Sequence, residues 1–157
     1  MIGALMMLTA SKSGARRSLK ILDYTTFDQQ EPQEVVGPEE FPMFPRWFPG
    51  GEELLFTSYR DALPVISRVS LLDRRIQRIG KPGAEDADIN PEGKLVVLVR
   101  DGNLWLLRMA DGLERQLTRE GAGALSPRFF PDGSKILFAS SVSGNYDLWT
   151  LDLPSLD

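Results

Sequence analysis

Two stretches of this chain are near copies of one another. Phe44-Pro45-Arg46-Trp47-Phe48-Pro49-Gly50-Gly51-Glu52-Glu53-Leu54-Leu55-Phe56 aligns without a gap on Ser126-Pro127-Arg128-Phe129-Phe130-Pro131-Asp132-Gly133-Ser134-Lys135-Ile136-Leu137-Phe138. A third and more diverged version, Asp88-Ile89-Asn90-Pro91-Glu92-Gly93-Lys94-Leu95-Val96-Val97-Leu98, lies between them. The turn glycines of the three copies are Gly51, Gly93 and Gly133, so the period is close to 40 residues. Each copy has a Pro- or Gly-marked turn followed by a short run rich in Leu, Ile, Val and Phe. Proline presets φ for a tight turn, glycine supplies the positive φ a hairpin needs, and β-branched and aromatic runs favour strands.

A repeat of this length built from short strands is the mark of β-propeller blades. With strands lettered a to d from the axis outward, the fourth copy has strand a at Ala124–Phe130, b at Lys135–Ser140 and c at Tyr146–Asp152. The third has b at Leu95–Val99, the hairpin turn Asp101-Gly102-Asn103, c at Leu104–Arg108 and d at Glu114–Thr118. The second has b at Leu54–Ser58, c at Ser67–Leu72 and d at Arg75–Ile79. Extending the phase upstream aligns Gly3 with Gly133 and yields b at Ala4–Ala10, c at Ser18–Tyr24 and d at Gln33–Val36. The expected fold is all-β, with blades of four antiparallel strands in about four repeats, forming an incomplete or open propeller. Residues 1–157 are read as one segment: blade 1 at about 1–38 lacking strand a, blade 2 at 39–82, blade 3 at 83–121, and blade 4 at 122–157 lacking strand d. Closure of the ring is what covers blade faces in this architecture, so an open arc leaves apolar faces and a sheet edge that invite pairing, including self-association that completes the ring.

Composition narrows the chemistry. The chain has no histidine and no cysteine, which removes a Ser-His-Asp triad, a Cys-His pair, a thiolate nucleophile and histidine or cysteine metal ligands. The reading is of a protein that is not an enzyme and needs no cofactor or metal. Net charge is −4 with both signs interspersed, and the basic group Lys12, Arg16, Arg17 and Lys20 reads as a solvated hairpin, so no nucleic-acid partner is expected. The apolar start Met1–Ala10 has its positive charges after it, whereas a signal peptide carries them before. It is also far shorter than the roughly 20 residues that span a bilayer. It reads as a buried strand, with no membrane insertion.

Carboxylates supply no clear site. Asp23, Asp73 and Asp152 near the ends of strand c read as turn caps. Glu39-Glu40, Glu52-Glu53 and Glu85-Asp86 are placed in turns or loops. Asp86-Ala87-Asp88-Ile89-Asn90 lacks the Gly and the later Glu of a calcium loop. Trp47, Trp105, Phe129 and Trp149 recur at repeat positions and are expected to pack between blades. Loop residues that differ between copies are free of that duty. The face shared by the b–c and d–a loops is therefore the candidate interaction surface, carrying Lys12, Ser13 and Arg16, then Tyr59, Arg60 and Asp61, then Val142, Ser143 and Asn145.

The stretch Pro127-Arg128-Phe129-Phe130-Pro131-Asp132-Gly133, with Gly144-Asn145-Tyr146-Asp147-Leu148-Trp149 after it, closely resembles the Pro-x-Trp-Ser-Pro-Asp-Gly repeat of TolB-type, WD-repeat-like β-propellers. The family's Trp is Trp47 and Phe129 here, its Ser is replaced by Phe48, Asn90 and Phe130, and its turn Asp survives only as Asp132. The resemblance implies a non-catalytic module that binds another protein as a scaffold, in the bacterial periplasm or otherwise outside the cytoplasm. With no signal peptide recognised in this chain, a cytoplasmic location stays open. Such blades also form the propellers of prolyl-oligopeptidase-like serine peptidases, where they gate substrate, and the sensor arms of bacterial regulators. Those are the two alternative functions.

Overall fold

The computed structural model of the chain describes residues 4–10, 17–23, 31–119 and 123–153. Among them are fourteen strands and one 3-10 turn, Pro38–Glu40. The first sheet contains β1 (Ala4–Ala10), β2 (Arg17–Asp23) and β3 (Gln33–Val36) in that order. The second contains β4 (Pro42–Trp47), β5 (Glu53–Ser58), β6 (Val65–Ser70) and β7 (Ile76–Arg78). The third contains β8 (Ala84–Ile89), β9 (Leu95–Arg100), β10 (Asn103–Arg108) and β11 (Glu114–Gln116). The fourth contains β12 (Leu125–Phe129), β13 (Lys135–Ser140) and β14 (Asp147–Asp152). Every pairing is antiparallel between chain neighbours. The blades form an open arc rather than a closed ring.

The repeat seen in the sequence is a repeat of bonds. Gly51 N donates to Phe48 O at 3.0 Å, Gly93 N to Asn90 O at 2.9 Å, and Gly133 N to Phe130 O at 2.8 Å. Gly93 and Gly133 share a φ of 73°, a left-handed conformation that a Cβ would strain. Asn90 replaces a hydroxyl residue of the family pattern and caps the turn itself, its Oδ1 accepting from Lys94 N at 2.8 Å and Leu95 N at 2.9 Å. Strand c of the second blade runs Val65–Ser70 rather than Ser67–Leu72. Its end is set by Ser70 Oγ, which accepts from Leu72 N, and by Asp73 Oδ1, which accepts from Arg75 N at 3.1 Å. These side-chain bonds give the backbone an alternative to the ladder.

Three apolar layers hold the arc together, one between each pair of neighbouring blades. Leu19, Val35 and Val36 meet Leu54, Phe56 and Val69 between the first and second sheets. Leu55, Ile66 and Ile79 meet Ala84, Val96 and Leu98 between the second and third. Val97, Val99 and Leu104 meet Ala124, Ile136 and Phe138 between the third and fourth. Alternate residues of one strand thus serve different layers: Leu54 and Phe56 face back, Leu55 faces forward. Strands buried on both sides read as continuous hydrophobic runs. Trp47, Trp105 and Phe129 border these layers as expected. Trp149 departs from the expectation, being 40% exposed.

Candidate functional site

The innermost strands β4, β8 and β12 touch one another directly, β8 lying between the other two. Each carries an irregularity at the same place, between Met43 and Arg46, Ala84 and Ala87, and Leu125 and Arg128. Phe44 and Ser126, equivalent in the repeat, have φ values of 51° and 49°. Such bulges re-aim the side chains around them. Here the next residues are Arg46 and Arg128, each donating to its own preceding proline carbonyl, Pro45 O and Pro127 O.

Between these arginines the third blade places carboxylates. Arg46 Nη2 lies 3.6 Å from Asp86 Oδ1 and Arg46 Nε lies 3.9 Å from Asp88 Oδ1. Arg128 Nη1 lies 3.6 Å from Asp86 Oδ2, and Phe129 N donates to Asp88 Oδ2 at 2.8 Å. Glu85 and Asp86 are therefore strand residues, not loop residues as their polarity suggested, and Asp86 is buried. Burial pushes the Asp86 carboxyl up to about 6, against the pull of Arg46 and the bond from Ala87 N, with Asp88 adding to the rise. Burial likewise raises Asp88. Two carboxylates held by two arginines are a charge-neutral link across three blades rather than an acid–base pair. Among the described residues no group of three or more acidic residues is placed to hold a metal ion.

The raised pKa has a thermodynamic sign. A carboxyl at about 6 in the folded protein, against an ordinary value of 3.8, binds more protons folded than unfolded between those limits. Its contribution to stability is therefore greatest below 3.8 and is lost as pH rises through about 6. Asp86→Asn, which keeps the neutral form, is expected to be more stable than wild type at pH 7.5 by on the order of 2 kcal/mol and equal to it at pH 4. Urea unfolding at both pH values checks this. A variant less stable at pH 7.5 would show that the ion link outweighs its desolvation.

The candidate interaction residues lie on two loops. Lys12, Ser13 and Arg16 fall outside the described residues. Tyr59, Arg60 and Asp61 follow β5 and are exposed, as are Val142, Ser143 and Asn145 between β13 and β14. Among the described residues no hydrogen bond or ion pair joins the two groups, which belong to the second and fourth blades. Each is braced from below. Ser143 Oγ donates to Asp147 Oδ2 at 2.6 Å and to Asn145 O at 3.1 Å. Tyr59 Oη lies 3.4 Å from Glu85 O, and its pKa is raised by burial and by the charges of Glu85 and Asp86.

Arg60 is anchored by a residue that sequence reasoning had placed in a solvated turn. Glu40 sits in the 3-10 turn and is buried, accepting from Ser58 Oγ at 2.7 Å, Arg78 Nη1 at 2.8 Å and Arg60 Nη1 at 3.2 Å. Burial opposes its ionisation, but the bonds from Ser58, Arg78 and Arg60 overcome that and hold it below the ordinary carboxylate range. Only the position of Phe41, in left-handed conformation at φ 45°, turns the chain so that Glu40 points inward, and no local pattern announces it. At the opposite end of the blades a cavity of about 600 Å³ opens between the third and fourth sheets, bordered by Asn90, Leu95, Met109, Asp132 and Leu153.

No protein-family model matches the chain. A TolB homolog of Chlorobium luteolum is 27% identical over 155 residues, 96% of this chain and 35% of the relative. The Tol-Pal system protein TolB of Anaeromyxobacter sp. strain K is 33% identical over 101 residues, 60% of this chain and 23% of the relative. The chain thus spans about a third or less of the length of these curated relatives. Among solved structures, TolB from Acinetobacter baumannii superposes with a TM-score of 0.81 at 19% identity, over 96% of this chain and 39% of that one. The repeat, the open arc of antiparallel blades and these likenesses agree: the chain is a TolB-like β-propeller protein.

Proposed function

We propose that this chain is a non-catalytic propeller module that binds a protein partner through the loops following its b strands. The observation that supports this reading is the division of labour along the repeat. Repeated apolar positions are buried between blades, whereas Tyr59, Arg60, Asp61, Val142, Ser143 and Asn145 are exposed on braced loops. Tyr and Arg are the residue types that dominate binding energy at protein interfaces. Arg60 is held at one end by Glu40 while more than half of its side chain meets solvent. Such an anchored arginine loses less conformational freedom on binding than a free one.

Relatives carry the name of the Tol-Pal system, and we extend to this chain a role in a protein assembly of that kind, outside the cytoplasm. The test is calorimetric titration against the Pal component of the source organism. Substituting Tyr59→Ala and Arg60→Ala together is expected to weaken binding at least tenfold, about 1.4 kcal/mol, with an unchanged melting temperature because Ser58 and Arg78 still satisfy Glu40. Wild-type protein that does not bind, or a double variant that binds equally well, would overturn the proposal.

A further inference from the structure

The forward face of the fourth sheet is apolar and uncovered. Leu148 is 75% exposed, Tyr146 60% and Leu125 43%. The register places Leu148 beside Ala139 and Thr150 beside Leu137 on one face, opposite the face that sends Ile136 and Phe138 into the layer with the third sheet. The repeat shows what this face is built to meet. Leu137, Ala139 and Leu148 stand where the third sheet has Val97, Val99 and Leu104, in the same cross-strand register. Those three are 0%, 2% and 0% exposed beneath Ala124, Ile136 and Phe138 of the next sheet. One blade further back, Leu55 and Ile66 occupy the same places at 1% and 0%. Within this molecule the position is twice covered by an apolar sheet of the chain's own making. In the fourth sheet it is bare.

We propose that this face, formed by β12, β13 and β14, is a docking surface for a second copy of the chain, the two fourth sheets packing face to face about a two-fold axis. An occupant with the chemistry of these blades is what the covered positions call for, and a second copy carries it. The same face must serve on both partners. At the other end of the arc Ser18 and Leu22, which alternate with the inward-facing Leu19 and Ile21, are already 7% and 4% exposed and offer no open sheet. Self-docking meets little charge opposition. The only ion on the β12–β13 part of the face is Arg128, whose guanidinium is committed to Asp86 and Pro127 O. Face-to-face packing of twisted antiparallel sheets is an ordinary sandwich geometry, and an isologous contact closes at two copies. This inference rests on the packing of the blades and not on the loop-binding reading above, so either can fail alone.

Sedimentation equilibrium of the 157-residue chain across a hundredfold concentration range tests it. A monomer–dimer equilibrium is expected, and Leu148→Glu should raise its dissociation constant at least tenfold. Because Leu148 is largely exposed in the single chain, that variant is expected to keep the wild-type circular dichroism spectrum. Tyr146→Glu provides the same test should the first variant not fold. Leu72→Glu serves as the control: Leu72 is 95% exposed on the turn after β6, away from this face, and its substitution should leave the equilibrium unchanged. A wild-type chain that stays monomeric throughout, or a dimer that Leu148→Glu and Tyr146→Glu leave intact, as edge-to-edge pairing of β14 would, overturns the proposal.

Discussion

Phe56→Ala is expected to lower the unfolding free energy by about 3–5 kcal/mol, the usual cost of emptying a buried aromatic site. Phe56 is 1% exposed in the middle of β5 and packs in the layer that joins the first sheet to the second, with Leu19, Val36, Leu54 and Val69 around it. Both walls of that layer are strands locked by their own ladders, so the space left by the ring cannot collapse, and the cavity penalty adds to the lost transfer energy. Urea unfolding followed by far-ultraviolet circular dichroism measures the loss. A decrease below about 1 kcal/mol would mean that the first sheet does not lie on the second as described, because a ring facing solvent loses little on truncation.

Arg100→Ala is expected to cost as much, for an electrostatic reason. Arg100 Nη1 meets Glu114 Oε2 at 2.7 Å, Nη2 donates to Lys81 O at 2.9 Å, and the guanidinium carbon lies 5.3 Å from the centre of the Trp105 ring. The Glu114 side chain is 2% exposed. Removing the cation leaves a buried carboxylate without its partner, which costs about 3–5 kcal/mol, whereas replacing both members with apolar residues is often nearly neutral. Arg100→Met with Glu114→Leu should therefore recover most of the loss. Burial works against the charge of Glu114, but the bonds from Arg100 and Lys81 N hold its pKa below the ordinary value of 4.5. That depressed group contributes stability above about 4.5 and loses it as pH falls through the folded value. In Arg100→Ala the sign reverses, because desolvation alone then acts on the carboxyl. The variant should lie closest to wild type near pH 4 and furthest from it near pH 8. Unfolding curves at those two pH values distinguish this from a loss of packing, which would be the same at both.

Most of the strand pattern was legible beforehand because its signals are local. The turn at Pro131-Asp132-Gly133 and its counterparts depends on residues three apart, and the runs Leu95–Val99 and Lys135–Ser140 declare themselves by composition within six positions. The observed strands extend or trim those runs by a residue or two. The larger shift in β6 has an equally local cause in the Ser70 and Asp73 side-chain bonds. The ion link was missed for the opposite reason. Asp86 and Asp88 looked like loop acids because Glu85, Asp86 and Asp88 make β8 unusually polar for a strand. Their partners Arg46 and Arg128 lie some forty residues away on either side. One signal was present: the repeat position occupied by Arg46, Asp88 and Arg128 alternates in sign from blade to blade.

The order of elements, the phase of the repeat and the absence of familiar hydrolytic chemistry were decided by the amino-acid sequence alone, since turn geometry, strand propensity and residue inventory act over short spans of chain. Tertiary structure alone decided which members of equivalent sets are covered. Leu104 and Leu148 occupy the same place in the repeat, yet one is fully buried and the other 75% exposed. Burial belongs to whatever lies across the interface and not to the residue itself. The same holds for Glu40, whose neighbours Ser58, Arg60 and Arg78 come from a hairpin that only folding brings over it.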